Sequence, residues 1–98
     1  MKRRLLFRPE ARADISEAAR RYEQERLGLG ERFLAELGII LDRIAASPAQ
    51  FPTVEEGVRR CGLSRFPYAI YFSIEEPSLI VIAILHRRRN PDVWKRRI

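Results

Sequence analysis

One change of hydrophobic period, near residue 58, limits the folds open to this chain more than anything else in it. Before that point apolar residues recur at helical spacing: Ala11, Ile15, Ala18, Ala19 and Tyr22, then Phe33, Leu34, Leu37, Ile40, Leu41 and Ile44. After it they alternate. Tyr68, Ile70, Phe72 and Ile74 fall on one side of a strand, with Ala69, Tyr71, Ser73 and Glu75 on the other. Leu79–Leu85 is apolar at every position and rich in isoleucine and valine, the pattern of a strand buried on both faces. A chain whose helices precede its strands packs a helical layer on an antiparallel sheet.

The punctuation sets the boundaries. Residues 3–8 read as a short strand ending at Pro9, which suits the first turn of a helix because its missing N–H is not needed there. Leu27-Gly28-Leu29-Gly30 interrupts the helical pattern, giving a helical hairpin over residues 9–27 and 29–46 that stops near Ser47-Pro48. Gly38, inside the second helix, is expected to mark a close approach to another element. Val58–Leu63 is a further strand, with Arg59 and Cys61 on one side and Val58 and Arg60 on the other. Glu76-Pro77-Ser78 is a turn, and Asn90-Pro91 caps a short helical tail over Asp92–Arg97. The expected fold is α+β in the order β-α-α-β-β-β, one domain over 1–98, with the hairpin on one face of a mainly antiparallel sheet. The other face must be covered by a partner or the tail, or stay wet.

Charge is unevenly spread. Lys2, Arg3, Arg4 and Arg8 give the first eight residues +4; six basic and ten acidic side chains leave 9–57 at −4; nine basic and three acidic give 58–98 +6. Such clustering creates a positive face and points to an anionic partner, nucleic acid or an acidic protein surface. The single Cys61 forms no internal disulfide, and no apolar run reaches membrane-spanning length. The N-terminus begins like a signal peptide, but its apolar stretch ends after three residues at Arg8-Pro9, so a cytoplasmic protein without membrane contact is expected. There is no glycine-rich phosphate loop, metal-ligand cluster or Ser/His/Asp set, so no cofactor is expected.

The stretch Val58-Arg59-Arg60, Arg65-Phe66-Pro67-Tyr68-Ala69-Ile70-Tyr71-Phe72 and Ile84-Leu85-His86-Arg87-Arg88-Arg89-Asn90-Pro91, with Trp94, resembles the ParE-type toxins of the ParE/RelE superfamily, often labelled plasmid stabilisation proteins. The N-terminal strand, the Pro-Glu-Ala helix start and the Leu-Gly break are similar as well. The resemblance implies the toxin of a type II toxin–antitoxin pair, neutralised by a cognate antitoxin and causing growth arrest. Members act in two ways: ParE-like toxins inhibit DNA gyrase, and RelE-like toxins cleave mRNA on the ribosome without a metal.

The resemblance also implies where to look. In the RelE pattern an arginine follows the tyrosine opening the second strand of the hairpin, another follows the last strand, and a tyrosine lies in the tail. Those positions here are Ala69, Arg88 and Trp94. Tryptophan does not exchange a proton as phenol does, so gyrase inhibition is the leading reading and ribosome-dependent cleavage the alternative. The candidate target-binding residues are Arg59, Arg60, Arg87, Arg88, Arg89, Trp94, Lys95 and Arg96, with Arg59 and Arg60 in the place of the RelE-like lysines. If the chain is a nuclease, His86 and Arg88 are the catalytic candidates. An alternating strand end turns at most two of Arg87–Arg89 to one face, and Arg88 is expected to be the one that turns inward and pairs. Trp94 is expected to pin the tail to the sheet.

Overall fold

Pro9 ends one element and starts the next. The computed structural model describes residues 2–98, in which strand β1 spans Arg4–Phe7 and helix α1 spans Pro9–Glu25. Helix α2 covers Leu29–Ala46 and buries Phe33, Leu37, Ile40 and Ile44, one stripe at helical spacing. Between the helices Gly28 takes a left-handed φ of 87°, and the Glu23 carboxylate accepts the N–H groups of Gly28 at 2.9 Å and Gly30 at 3.0 Å. These are donors a helix start leaves without partners. The close approach of the two helices occurs at Gly30, where a Cβ would lie 2.5 Å from the Ala19 carbonyl oxygen. Gly38, expected to play that part, sits on the exposed side of α2 with nothing within 4 Å of its Cβ position.

After a single 3-10 turn at Pro48–Gln50, four strands follow: β2 (Thr53–Glu55), β3 (Val58–Gly62), β4 (Tyr68–Glu75) and β5 (Ser78–His86). A short helix, α3, occupies Asp92–Lys95. The sheet order is β1-β5-β4-β3-β2; β1 runs parallel to β5 and the other neighbours are antiparallel. The architecture is the expected α+β one, with β2 as an addition. Its three residues are all exposed and carry no alternation, so only pairing to β3 reveals it. Glu56 and Gly57, both at positive φ, join β2 to β3 as a two-residue hairpin loop.

The sheet has two apolar faces. One packs on α1 and α2 and gathers Tyr68, Ile70, Phe72, Leu79, Val81 and Ile84; the other gathers Val58, Ala69, Tyr71, Ile82, Ala83 and Leu85. Adjacent Ile82 and Ala83 share a face because a bulge in β5 shifts the register, with Tyr71 opposite Ala83 but Phe72 opposite Val81. Trp94, 3% exposed, closes the second face from the tail. Among the described residues no helix is long and apolar enough to cross a membrane.

Candidate functional site

Six cations, Arg87–Arg89 and Lys95–Arg97, follow the end of β5 in the chain. The chain turns on itself at His86: the Arg89 N–H donates to the His86 carbonyl at 2.9 Å, and the Arg88 N–H donates to His86 Nδ1 at 3.1 Å. This turn breaks the strand alternation and decides which arginine points inward. It is Arg87, not Arg88. Its N–H donates to the Pro67 carbonyl at 2.8 Å and its Nη2 to the Leu63 carbonyl at 2.9 Å. The guanidinium lies over Gly62, where a Cβ would stand 3.0 Å from Nη2, so a side chain at 62 would crowd it. From α2, the Glu36 carboxylate accepts the N–H groups of Ser64 and Arg65. The loop between β3 and β4 is thus held from both sides.

His86 occupies a half-buried position with its ring edge-on to Tyr68, centroids 5.4 Å apart. Because Nδ1 accepts the Arg88 N–H, the proton of the neutral ring resides on Nε2. Asp14, Glu17, Arg21, Tyr68 and Arg89 line a small cleft of about 100 Å³ with it. Asp14 is paired with Arg97, and Glu17 with Arg21 of the same cleft at 2.9 Å. Sequence reasoning found no carboxylate near His86, because these two lie some seventy positions away on α1.

Arg59 and Arg60 leave β3 on opposite faces. Arg59 Nη1 donates to the carbonyls of Phe51 and, at 3.3 Å, Ala49, fastening the segment before β2. Arg60 Nε reaches the Tyr71 hydroxyl at 3.2 Å, with the guanidinium 5.8 Å from the ring centre. Tyr71 in turn stacks on Trp94, ring centroids 5.3 Å apart and planes 21° apart. Lys95 pairs with Glu55 at 2.7 Å, a contact that raises its pKa. Arg97 forms two hydrogen bonds to Asp14, at 2.6 and 3.1 Å, which raise the guanidinium pKa further.

The proposed set therefore divides. Arg59 and Arg87 bind main-chain carbonyls, Trp94 closes the second face, Lys95 pairs with Glu55 at the surface, and Arg60 braces Tyr71. Arg88, Arg89 and Arg96 are exposed, with no side-chain ion pair or hydrogen bond among the described residues. Arg65, which sequence reasoning quoted but did not select, is exposed on the clamped loop. Burial raises the Cys61 thiol pKa, so the side chain stays protonated and behaves as a small apolar group. Among the described residues no three His, Cys, Asp or Glu side chains converge as metal ligands would.

A helical hairpin on a sheet closed by a short tail is the fold of toxins from bacterial toxin–antitoxin modules. The structure is similar to a chain of the chromosomal ParDE toxin–antitoxin system from P. aeruginosa, with a TM-score of 0.66, 20% identity, and coverage of 87% of this chain and 96% of that one. It is also similar to a chain of the RelBE2 toxin–antitoxin complex from Mycobacterium tuberculosis, with a TM-score of 0.63, 14% identity, and coverage of 89% and 100%. The chain belongs to the ParE toxin family: the model of the ParE toxin of type II toxin–antitoxin system, parDE, matches residues 5–91. No curated protein sequence matches it.

Proposed function

We propose that this ParE-family toxin arrests growth by binding DNA gyrase through its positive end, and that a cognate antitoxin neutralises it. The observation that carries the reading is the state of the positive end. Arg88, Arg89 and Arg96 are unpaired and exposed, and two positions of the RelE pattern carry other residue types here. Ala69 stands where the RelE pattern has an arginine and is fully buried, and Trp94 replaces a phenol and is sealed against Tyr71. Exposed cations free of internal partners are suited to gripping an acidic surface.

A specific observation favours a second reading, ribosome-dependent mRNA cleavage: His86 and Arg89 share one cleft with Glu17 and Tyr68. A base, an acid and a cation in one cleft are the elements of phosphodiester cleavage. The deciding experiment measures inhibition of gyrase supercoiling and cleavage of ribosome-bound mRNA with the same protein, as wild type and as His86→Ala. Gyrase inhibition unchanged in His86→Ala is the expected result. Cleavage by the wild type that falls by about 10² in the variant, with no effect on supercoiling, would replace the first reading by the second.

A further inference from the structure

Half of one edge of β5 has no neighbouring strand. β1 pairs with β5 only as far as Phe7 beside Val81, because Pro9 turns the chain into α1, while β5 continues to His86. The bulge leaves two successive carbonyls bonded from the β1 side. The Arg8 N–H donates to the Val81 carbonyl at 3.0 Å, and Arg97 Nη1 donates to the Ile82 carbonyl at 3.2 Å. Two residues along, the Ile84 N–H donates to Asp14 Oδ2 at 3.0 Å. A residue of a parallel neighbouring strand would offer the same two groups, an N–H to one carbonyl and a C=O to the N–H two positions further on. Arg97 and Asp14 supply that donor and acceptor from side chains and bond each other, with only 15% and 13% of their side chains exposed.

What they cover is the segment of this chain best suited to pair with itself. Leu79–Leu85 has seven apolar residues, no charge and no proline, the composition that stacks into intermolecular sheet when its edge is open. An antiparallel match of Ile82–His86 with the same residues of another molecule is self-complementary about a two-fold axis. It also places the two Arg88-Arg89 turns at opposite ends, so the like charges do not meet.

We infer that the Asp14–Arg97 pair is an edge guard, and that releasing it opens a strand-pairing surface at Ile82–His86 whose occupant is a second copy of this chain. Substituting Arg97→Ala in the full-length protein uncovers the Ile82 carbonyl and leaves Asp14 alone on the Ile84 N–H. Lys95→Ala is the control, since it removes the tail's other ion pair and leaves β5 covered. Sedimentation velocity across a roughly hundredfold range of concentration should find wild type and Lys95→Ala monomeric, and Arg97→Ala as dimers and larger species at the upper end. The Ile84 amide keeps Asp14 as its acceptor in dilute Arg97→Ala, and its hydrogen exchange should slow further as concentration rises and a second copy covers this edge. Asp14→Asn, which keeps a carbonyl oxygen for the Ile84 N–H but loses the ion pair, should associate less than Arg97→Ala. A folded Arg97→Ala protein that stays monomeric overturns the inference, and so does association that does not slow exchange at the Ile84 amide. Unfolding of both Arg97→Ala and Asp14→Asn also overturns it, by showing that the pair holds the fold and does not merely screen an edge.

Discussion

Three adjacent arginines should give two different phenotypes. Arg87 Nη2 donates to the Leu63 carbonyl at 2.9 Å, and no other side-chain hydrogen bond ties that loop to the end of β5 among the described residues. A hydrogen bond from a charged donor contributes about 1.5–3 kcal/mol. The loop is at the surface and water can replace part of the bond, so Arg87→Ala is expected near the lower bound, about 1.5 kcal/mol. For a domain of this size that lowers the melting midpoint by roughly 6–12 °C. Arg88 and Arg89 make no hydrogen bond or ion pair through their side chains among the described residues, and exposed substitutions of that kind stay within about 0.5 kcal/mol. Replacing both with alanine should leave the melting curve near wild type and weaken gyrase inhibition by roughly tenfold or more, the loss of one or two charged contacts. Thermal melting by circular dichroism and a supercoiling titration on the same preparations separate the two effects. The reasoning fails if the double variant melts as low as Arg87→Ala, or if it inhibits gyrase as well as wild type does.

Gly30→Ala places a Cβ 2.5 Å from the Ala19 backbone oxygen, so the helices must separate despite alanine's better helix propensity; a net loss of about 1–3 kcal/mol in urea unfolding is expected. Gly38→Ala, in open space, should instead be neutral or stabilising by up to about 1 kcal/mol in the same experiment. The acidic hairpin is not expected to touch the target: Glu17→Lys and Glu25→Lys should keep supercoiling inhibition, whereas Glu23→Lys should lose stability by about 2–3 kcal/mol by stripping the Gly28 and Gly30 N–H groups of their acceptor. Loss of inhibition in a well-folded Glu25→Lys protein would place the target on the hairpin.

Periodicity made most of the fold legible. The apolar positions of both helices, the alternation from Tyr68 to Glu75 and the uniformly apolar Leu79–Leu85 each follow from a local rule, and the structure places them as those rules imply except Leu34, which is 44% exposed on α2. What sequence did not reveal depends on packing. β2 is three exposed residues whose only evidence is a pairing partner. The β5 bulge lies inside a run of similar apolar residues, with no glycine to mark it. Gly30 and Gly38 are alike as letters, and only the path of α1 tells the contact from the bystander. Arg97 and Asp14 are separated by 83 positions, so no spacing argument joins them. The charge asymmetry was legible as a field but not as a division of labour, since strand alternation stops at the turn that selects Arg87 over Arg88.

That division of labour bears on why the positive end is so rich in arginine. Arg59, Arg87 and Arg97 each donate to a main-chain carbonyl, those of Phe51, Leu63 and Ile82, at a place where a loop or sheet edge lacks a strand partner. Guanidinium suits this role because its several donors are fixed in a plane, so one side chain can satisfy a carbonyl and a carboxylate together, as Arg97 does. The anchored arginines then locate the free ones. Arg88 follows Arg87, and Arg96 lies between Lys95, held by Glu55, and Arg97, held by Asp14. Each free cation starts from a backbone already fixed by its neighbour, so less order remains to be imposed when it meets a partner. A patch of solvated lysines would carry the same charge without that fixed geometry. The anchored arginines therefore fix the backbone from which Arg88, Arg89 and Arg96 extend, while those three side chains stay free.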